Sequence, residues 1–363
     1  MANKIVGGKV LTICHHVDDC KISHVSPKVV DKIISLLKKD FEIIFEDGSG
    51  AMQVHRGNTH VYVGMTLDYM YSGEVHVAMI KYVEDICEVF KRAQSKYNDG
   101  FVEVKPKKRS RSSSQITAAP KNLFVINEEC EPLNDSDRES FHTIVVKSLF
   151  VAKHARPDIM TAISFLTKQV KKPDRDDWEK LRHMVTYLEY TKTLPLILSA
   201  DNSDSLYWYA DSEFAVHSKM RSHNGAGLTF GRGFVVSIST AQKLNTGSST
   251  HAEIVCVSDM LPTSQWVRLF VLSQGLQVKK NIIFQDNESA ELLEVNGKKS
   301  SSKRTRHINI RYFLVTDAIA KKECEVRWIS RNYMFADYST KAQQGAEFRV
   351  MRDFIMGVNP LSH

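Results

Sequence analysis

Apolar residues recur along this chain with two periods, and the switches between them mark out its elements. Val10-Leu-Thr-Ile-Cys-His-His reads as a strand, Val17-Asp18-Asp19 as a tight turn, and Cys20-Lys-Ile-Ser-His as the returning strand. Val30, Ile33, Ile34, Leu37 and Phe41 fall at helical spacing and predict an amphipathic helix over 29–41. Residues 61–67 read as a strand and 81–90 as a helix. Residues 137–198 are helical in pattern. Pro157 belongs there in a helix's first turn, and Trp178, Leu181, Met184, Val185 and Leu188 form a stripe that belongs to a core.

From 205 onward the two periods alternate. Three strands, 206–210, 225–230 and 234–239, are joined by turns containing Gly225, Gly231 and Gly233. A helix starts near Thr250, a strand covers 281–285, and a short helix covers 287–295. A longer helix near 308–321, a strand at 325–329 and a last helix that includes Asp337 complete the set. Pro262 lies inside the first of these helices, about two turns beyond Glu253, where it removes a backbone hydrogen bond and predicts a kink.

Composition narrows the class. With 363 residues the chain has room for two or three domains and ample core. No apolar run approaches the length that spans a bilayer, and the opening Met-Ala-Asn-Lys lacks a signal-peptide pattern, so the expectation is an intracellular protein, cytoplasmic or nuclear, with no membrane partner. The six cysteines, at 14, 20, 87, 130, 256 and 324, include no Cys-x-x-Cys pair, which points to reduced thiols and away from a zinc knuckle. The net charge of +7 matters mainly where cations cluster, at 105–111 and 298–306. Lys105-Pro-Lys-Lys-Arg-Ser-Arg111 reads as a linker by composition, with nucleic-acid contact or a nuclear-import signal as the sharper alternatives.

Four acidic residues carry the candidate chemistry: Asp211 after an apolar strand, Glu253 opening a helix, Asp286 directly after another strand, and Asp337 inside Phe335-Ala-Asp-Tyr-Ser-Thr-Lys341. Carboxylates at strand ends and on an adjacent helix can converge at a sheet's edge, and hard oxygen ligands of that kind suit Mg²⁺. Each also has an ordinary role open to it. Thr250-x-x-Glu253 is a capping-box pattern, Asp286 and Asp337 could each cap the helix that follows, and Asp211 could be a solvated strand end.

The segments Tyr209-Ala-Asp-Ser-Glu-Phe-Ala215, Ser248-Ser-Thr-His-Ala-Glu253, Gln285-Asp-Asn-Glu-Ser-Ala290, Arg304-Thr-Arg-His-Ile-Asn-Ile-Arg-Tyr312 and Ala336-Asp-Tyr-Ser-Thr-Lys341 occur in the order found in another set of proteins. Together they resemble the ribonuclease H domain of copia-type retrotransposon polyproteins. The resemblance implies an α/β, ribonuclease H-like, mixed five-stranded sheet with flanking helices. It makes Asp211, Glu253, Asp286 and Asp337 the catalytic metal ligands for two Mg²⁺ (or Mn²⁺) ions, and an RNA–DNA hybrid the substrate. His251 departs from the pattern, since relatives often carry an acidic residue there. His307, before a helix, does not match a proton-carrying role.

The earlier elements resemble the palm end and thumb of a copia reverse transcriptase. Asp18 and Asp19 stand at its polymerase motif, and His16 stands where the family has tyrosine. An ordinary Asp-Asp turn is the plain alternative. The seventeen residues before Asp18 cannot supply a third carboxylate and the fingers, so the expectation is a remnant without polymerase activity. The resulting division is a partial palm and thumb at 1–98, a basic linker at 99–136 and a helical connector at 137–204. A ribonuclease H-like domain at 205–345 and a tail at 346–363 follow.

The basic segment with Lys298, Lys299, Lys303, Arg304 and Arg306 is expected to grip hybrid phosphates, or else to be a solvated loop. Two competing functions remain. A non-catalytic nucleic-acid-binding fragment of a decayed copia-type element would lack divalent-metal binding. A transposase or integrase would place its Glu on a late helix, whereas Glu comes second here.

Overall fold

A computed structural model describes residues 1–45, 50–71, 73–99, 116–297 and 309–359. The cations expected to grip phosphates (Lys298, Lys299, Lys303, Arg304, Arg306), His307, and the 105–111 run lie outside these residues.

The chain opens with three strands, β1 (Ala2–Val6), β2 (Lys9–His16) and β3 (Asp19–Ser23), in one antiparallel sheet. The β2–β3 hairpin is where the pattern predicts it, and β1 is an addition. Helix α1 (Pro27–Phe41) follows, with proline in its first turn.

Residues 61–67, expected as one strand, instead form a hairpin of β4 (Thr59–Tyr62) and β5 (Met65–Asp68). Val63 and Gly64 at its tip both have positive φ, 52° and 73°, which is the backbone that a two-residue hairpin turn requires. Strand β6 (Val75–Ala78) and helix α2 (Ile80–Asp99) come next.

The connector supplies α3 (Asp135–His154), a 3-10 turn at Pro157–Ile159, α4 (Met160–Gln169) and α5 (Arg175–Tyr190). Its end is not helical as expected, because Leu196–Ala200 forms strand β7. β7 pairs with β6 and so extends the β4–β6 sheet. The α5 stripe is core as predicted: Trp178, Leu181, Met184 and Leu188 are wholly buried, and each such residue contributes roughly 1.5–3 kcal/mol.

Beyond it lie β8 (Ser205–Glu213), β9 (His223–Thr229), the two-residue β10 (Gly231–Arg232) and β11 (Val236–Ala241). Then come α6 (Ser249–Ser273), β12 (Lys280–Gln285), α7 (Glu288–Asn296), α8 (Asn309–Ala320) and β13 (Glu325–Trp328). The single turn α9 (Asp337–Thr340) and α10 (Gly345–Ile355) end the fold. Five of these strands form a sheet in the order β11-β9-β8-β12-β13. The pairings β11/β9 and β9/β8 are antiparallel, and β8/β12 and β12/β13 are parallel. The molecule is mixed α/β, as expected.

Gly225 lies within β9 rather than in a turn, opposite Asp211. Pro262 lies inside α6, as expected. Part of the expected tail is packed: Phe348, Phe354 and Ile355 of α10 are buried in the main core, and the helix end accepts amide hydrogen bonds from Ile197 and Phe234 at 2.9 and 2.8 Å. Part of the expected linker is likewise packed, since Ala118, Ala119 and Leu123 join the same core.

Candidate metal centre

Asp211 sits near the end of β8, a strand whose residues are buried on both faces, so its carboxylate is carried into the interior. β12 runs parallel beside it with Phe284 in register with Tyr209, which brings Asp286 level with Asp211 just past the strand. α6 packs across the same end and contributes Glu253. Carboxylate oxygens of Asp211, Glu253 and Asp286 all lie within 4.8 Å of one another. Among the described residues this is the one such group of metal-ligating side chains.

The capping alternatives do not hold. Ser248 caps α6, its hydroxyl accepting from the His251 amide at 3.1 Å, so Glu253 lies deeper in the helix than a capping box would place it. Oε2 of Glu253 is buried without a hydrogen-bond partner. Asn287, not Asp286, caps α7, accepting from the Ala290 amide at 3.1 Å. His251, the departure noted in the sequence, accepts from the Gly247 amide through Nδ1 at 3.2 Å and belongs to the helix start.

Asp337 stands beside this trio rather than within it. Its Oδ1 pairs with Lys341 Nζ at 2.7 Å, one helical turn on, and its carboxylate lies close enough to raise the pKa of both Asp211 and Asp286. The Thr340 hydroxyl donates to Asp211 Oδ2, and Arg331 Nε lies 3.5 Å from Asp286 Oδ2. Thr340, Lys341 and Arg331 were not singled out from the sequence. The one signal available was the Asp337-to-Lys341 spacing, which pairs charges on a helix.

Burial, reinforced by Asp337, pushes the Asp211 carboxyl up to about 8. Burial also drives Glu253 well above the usual carboxylate range, with Asp211 and Asp286 adding to the effect. Asp286 is raised by burial and by Asp337. For Lys341 burial opposes the charge, but Asp211 and Asp337 outweigh it and hold its pKa up. Two cations facing three buried acids and a half-buried one leave a deficit of positive charge that a divalent ion would fill. The donor set fits such an ion. It offers hard oxygens, one of them orphaned, at separations that metal–oxygen bonds of about 2.1 Å bridge with small side-chain adjustment.

The other acidic pair is placed differently. Asp18 lies in the β2–β3 turn and Asp19 opens β3; both are exposed, and Asp19 Oδ2 accepts from the Val63 amide at 3.2 Å. All six cysteines are free. No helix among the described residues is long and apolar enough to cross a membrane.

No family model matches the chain. Its homologues are retrovirus-related Pol polyproteins from copia-type transposons. It is 26% identical over 201 residues to the Retrovirus-related Pol polyprotein from transposon TNT 1-94 of Nicotiana tabacum, a match covering 55% of this chain and 15% of that protein. It is 28% identical over 207 residues to that of transposon RE2 of Arabidopsis thaliana, covering 56% of this chain and 14% of the relative. The chain thus spans about one seventh of the length of these relatives. Among solved structures, RNase H1 from the archaeon Halobacterium salinarum covers 40% of this chain and 98% of its own at 11% identity and a TM-score of 0.26.

Proposed function

With Pol polyproteins as its homologues, we propose that residues 205–345 form a ribonuclease H-type nuclease that hydrolyses the RNA strand of an RNA–DNA hybrid. The observation that supports this most is the meeting of Asp211, Glu253 and Asp286 within 4.8 Å at the end of a mixed sheet. Asp211, Glu253, Asp286 and Asp337 would hold two Mg²⁺ (or Mn²⁺) ions. Such ions supply a hydroxide near neutral pH and stabilise the leaving 3′-oxygen.

The chain's own residues do the rest. Asp211 and Asp286 present carboxylates from neighbouring strands, and Glu253 reaches in from α6. Lys341 fixes the orientation of Asp337, and the Thr340 hydroxyl fixes that of Asp211. The Arg331 side chain, 79% exposed beside Asp286, would meet a backbone phosphate. The 298–306 cations would add sequence-independent affinity. Residues 1–98 are read as part of a palm and thumb, and 137–204 as a connector.

The test is to incubate the purified chain with a labelled RNA–DNA hybrid, with double-stranded DNA alongside, in Mg²⁺ and in excess chelator. The expected result is cleavage of the RNA strand alone, abolished by the chelator. Metal binding without cleavage, or cleavage that persists in chelator, would contradict this reading. A chain that binds hybrid but neither metal nor scissile bond would be the non-catalytic nucleic-acid-binding fragment.

A further inference from the structure

α9 is a single turn, Asp337–Thr340, yet it presents two residues to the centre. One turn of helix does not hold its own shape, because nucleation costs more than so few hydrogen bonds return. What holds it lies far away in the sequence. The Tyr338 hydroxyl donates to the Asp158 carbonyl oxygen at 2.8 Å, and the Tyr338 carbonyl accepts from the Thr161 hydroxyl at 2.7 Å. Both partners belong to the 3-10 turn and α4 of the connector.

That turn is itself pinned. The Arg156 guanidinium donates to both oxygens of the Asp158 carboxylate, at 2.9 and 2.7 Å. It also donates to the carbonyl and hydroxyl of Thr191, at 3.0 and 2.7 Å. The Tyr187 hydroxyl completes the cage by donating to Asp158 Oδ2 at 2.6 Å. The Arg156 and Asp158 side chains are 2% and 0% exposed. Burying an ion pair this deeply adds little stability, and its best use is to fix a geometry. On its other side α9 descends onto Gly225, opposite Asp211. A Cβ there would stand 2.6 Å from Thr340 Cγ2, 2.8 Å from Ser339 Cβ and 2.9 Å from the Ala336 carbonyl oxygen.

We propose that the connector segment 156–161 is a positioning device for the metal centre. Through Tyr338 it sets the place of Asp337 and of the Thr340 hydroxyl that orients Asp211. The inference rests on the assignment of these carboxylates to metal, and it gives the connector a part in the chemistry beyond spacing.

Thr161→Val removes the hydroxyl and keeps the shape, Thr161→Ser keeps the hydroxyl, and Tyr338→Phe removes the other contact. Thr316→Val is a matched control, since that hydroxyl also donates to a carbonyl, Glu294, at 2.7 Å but away from α9. Mn²⁺ affinity of the full chain is measured by titration calorimetry, with the thermal midpoint of each variant alongside. Thr161→Val and Tyr338→Phe are expected to weaken Mn²⁺ binding about ten- to a hundredfold, as loss of an outer support does in metal sites. Thr161→Ser stays near wild type, and Thr316→Val lowers the thermal midpoint without changing Mn²⁺ affinity. Hybrid cleavage by Thr161→Val recovers at saturating Mn²⁺.

Wild-type Mn²⁺ affinity in folded Thr161→Val overturns the proposal and leaves the nuclease reading intact. If Tyr338→Phe does not fold, the Thr161 pair decides alone. A wild-type chain that binds Mn²⁺ but cleaves no hybrid overturns the nuclease reading, while the affinities still judge the positioning claim. A wild-type chain that binds no Mn²⁺ overturns both.

Discussion

Two regions of this molecule bring acidic residues together, and they do so in opposite ways. Asp18 and Asp19 are neighbours in sequence, exposed at a hairpin tip, and neither belongs to the one metal-ligating group among the described residues. Asp211, Glu253 and Asp286 are separated by dozens of residues, yet the ends of two inner strands and a helix bring them together. Adjacency in sequence gives carboxylates that water can solvate. Convergence in the fold gives carboxylates that repel one another at low dielectric, a cost that a bound cation offsets. On the proposed reading, the chemistry belongs to the second region.

Asp286→Asn should produce the largest effect. It keeps the shape but removes a charged donor, so hybrid cleavage should fall by more than about a hundredfold, beyond the loss typical of an outer support, with the circular dichroism spectrum unchanged. Asp18→Asn should leave cleavage untouched, and the wild type should extend no primer on a template. Template-dependent extension that disappears in Asp18→Asn would erase the contrast between the two regions.

Glu253→Gln should also abolish most cleavage. Without metal the same change should raise the thermal midpoint, because it removes a buried carboxyl whose ionisation the site disfavours. A lowered midpoint with normal cleavage would return Glu253 to a structural role.

A subtler effect lies in the pH dependence of metal-free stability. Acids whose folded pKa is raised bind more protons folded than unfolded, so their ionisation works against the fold. The stability they hold when neutral is fully present below the unfolded pKa and is lost as pH rises through the folded one. For Asp211 that window runs from its ordinary value of 3.8 to about 8, and Glu253 and Asp286 shift in the same direction. Thermal midpoints should therefore fall across this range without metal, and saturating Mg²⁺ should flatten the decline. A metal-free midpoint that rises over the same range would contradict the burial argument.

The smallest expected effect is on salt dependence. Alanine at Lys298, Lys299, Lys303, Arg304 and Arg306 should flatten the log–log salt slope of hybrid binding by about 0.9 per lost phosphate contact, measured with Ca²⁺ in place of Mg²⁺. Alanine across 105–111 should not change it. Equal slopes for both variants would make the 298–306 segment an ordinary solvated loop.

Much of this was legible in the sequence because the signals were local. The α5 stripe, the apolar run of β12 and the start of α6 each carry a period or a cap that needs no tertiary context. β7 was hidden because its short apolar run directly follows a helix, where periodicity alone cannot separate strand from helix. The β4–β5 hairpin was hidden by a turn with only one glycine. At the centre, the order of the four acids was readable, whereas the groups that orient them were not. Thr340 meets Asp211 across 129 residues, and Tyr338 meets Thr161 and Asp158 across 177 and 180. Gly225 looked like a turn residue, and only the approach of α9 shows why it has no side chain.

The central claim is that the interior acids, not the hairpin pair, bind the metal. Anomalous diffraction at the manganese edge, from crystals of the full chain grown with Mn²⁺, tests it most directly. The account predicts peaks about 2.1 Å from carboxylate oxygens of Asp211, Glu253 and Asp286. An empty interior with a peak at Asp18 and Asp19 would contradict it.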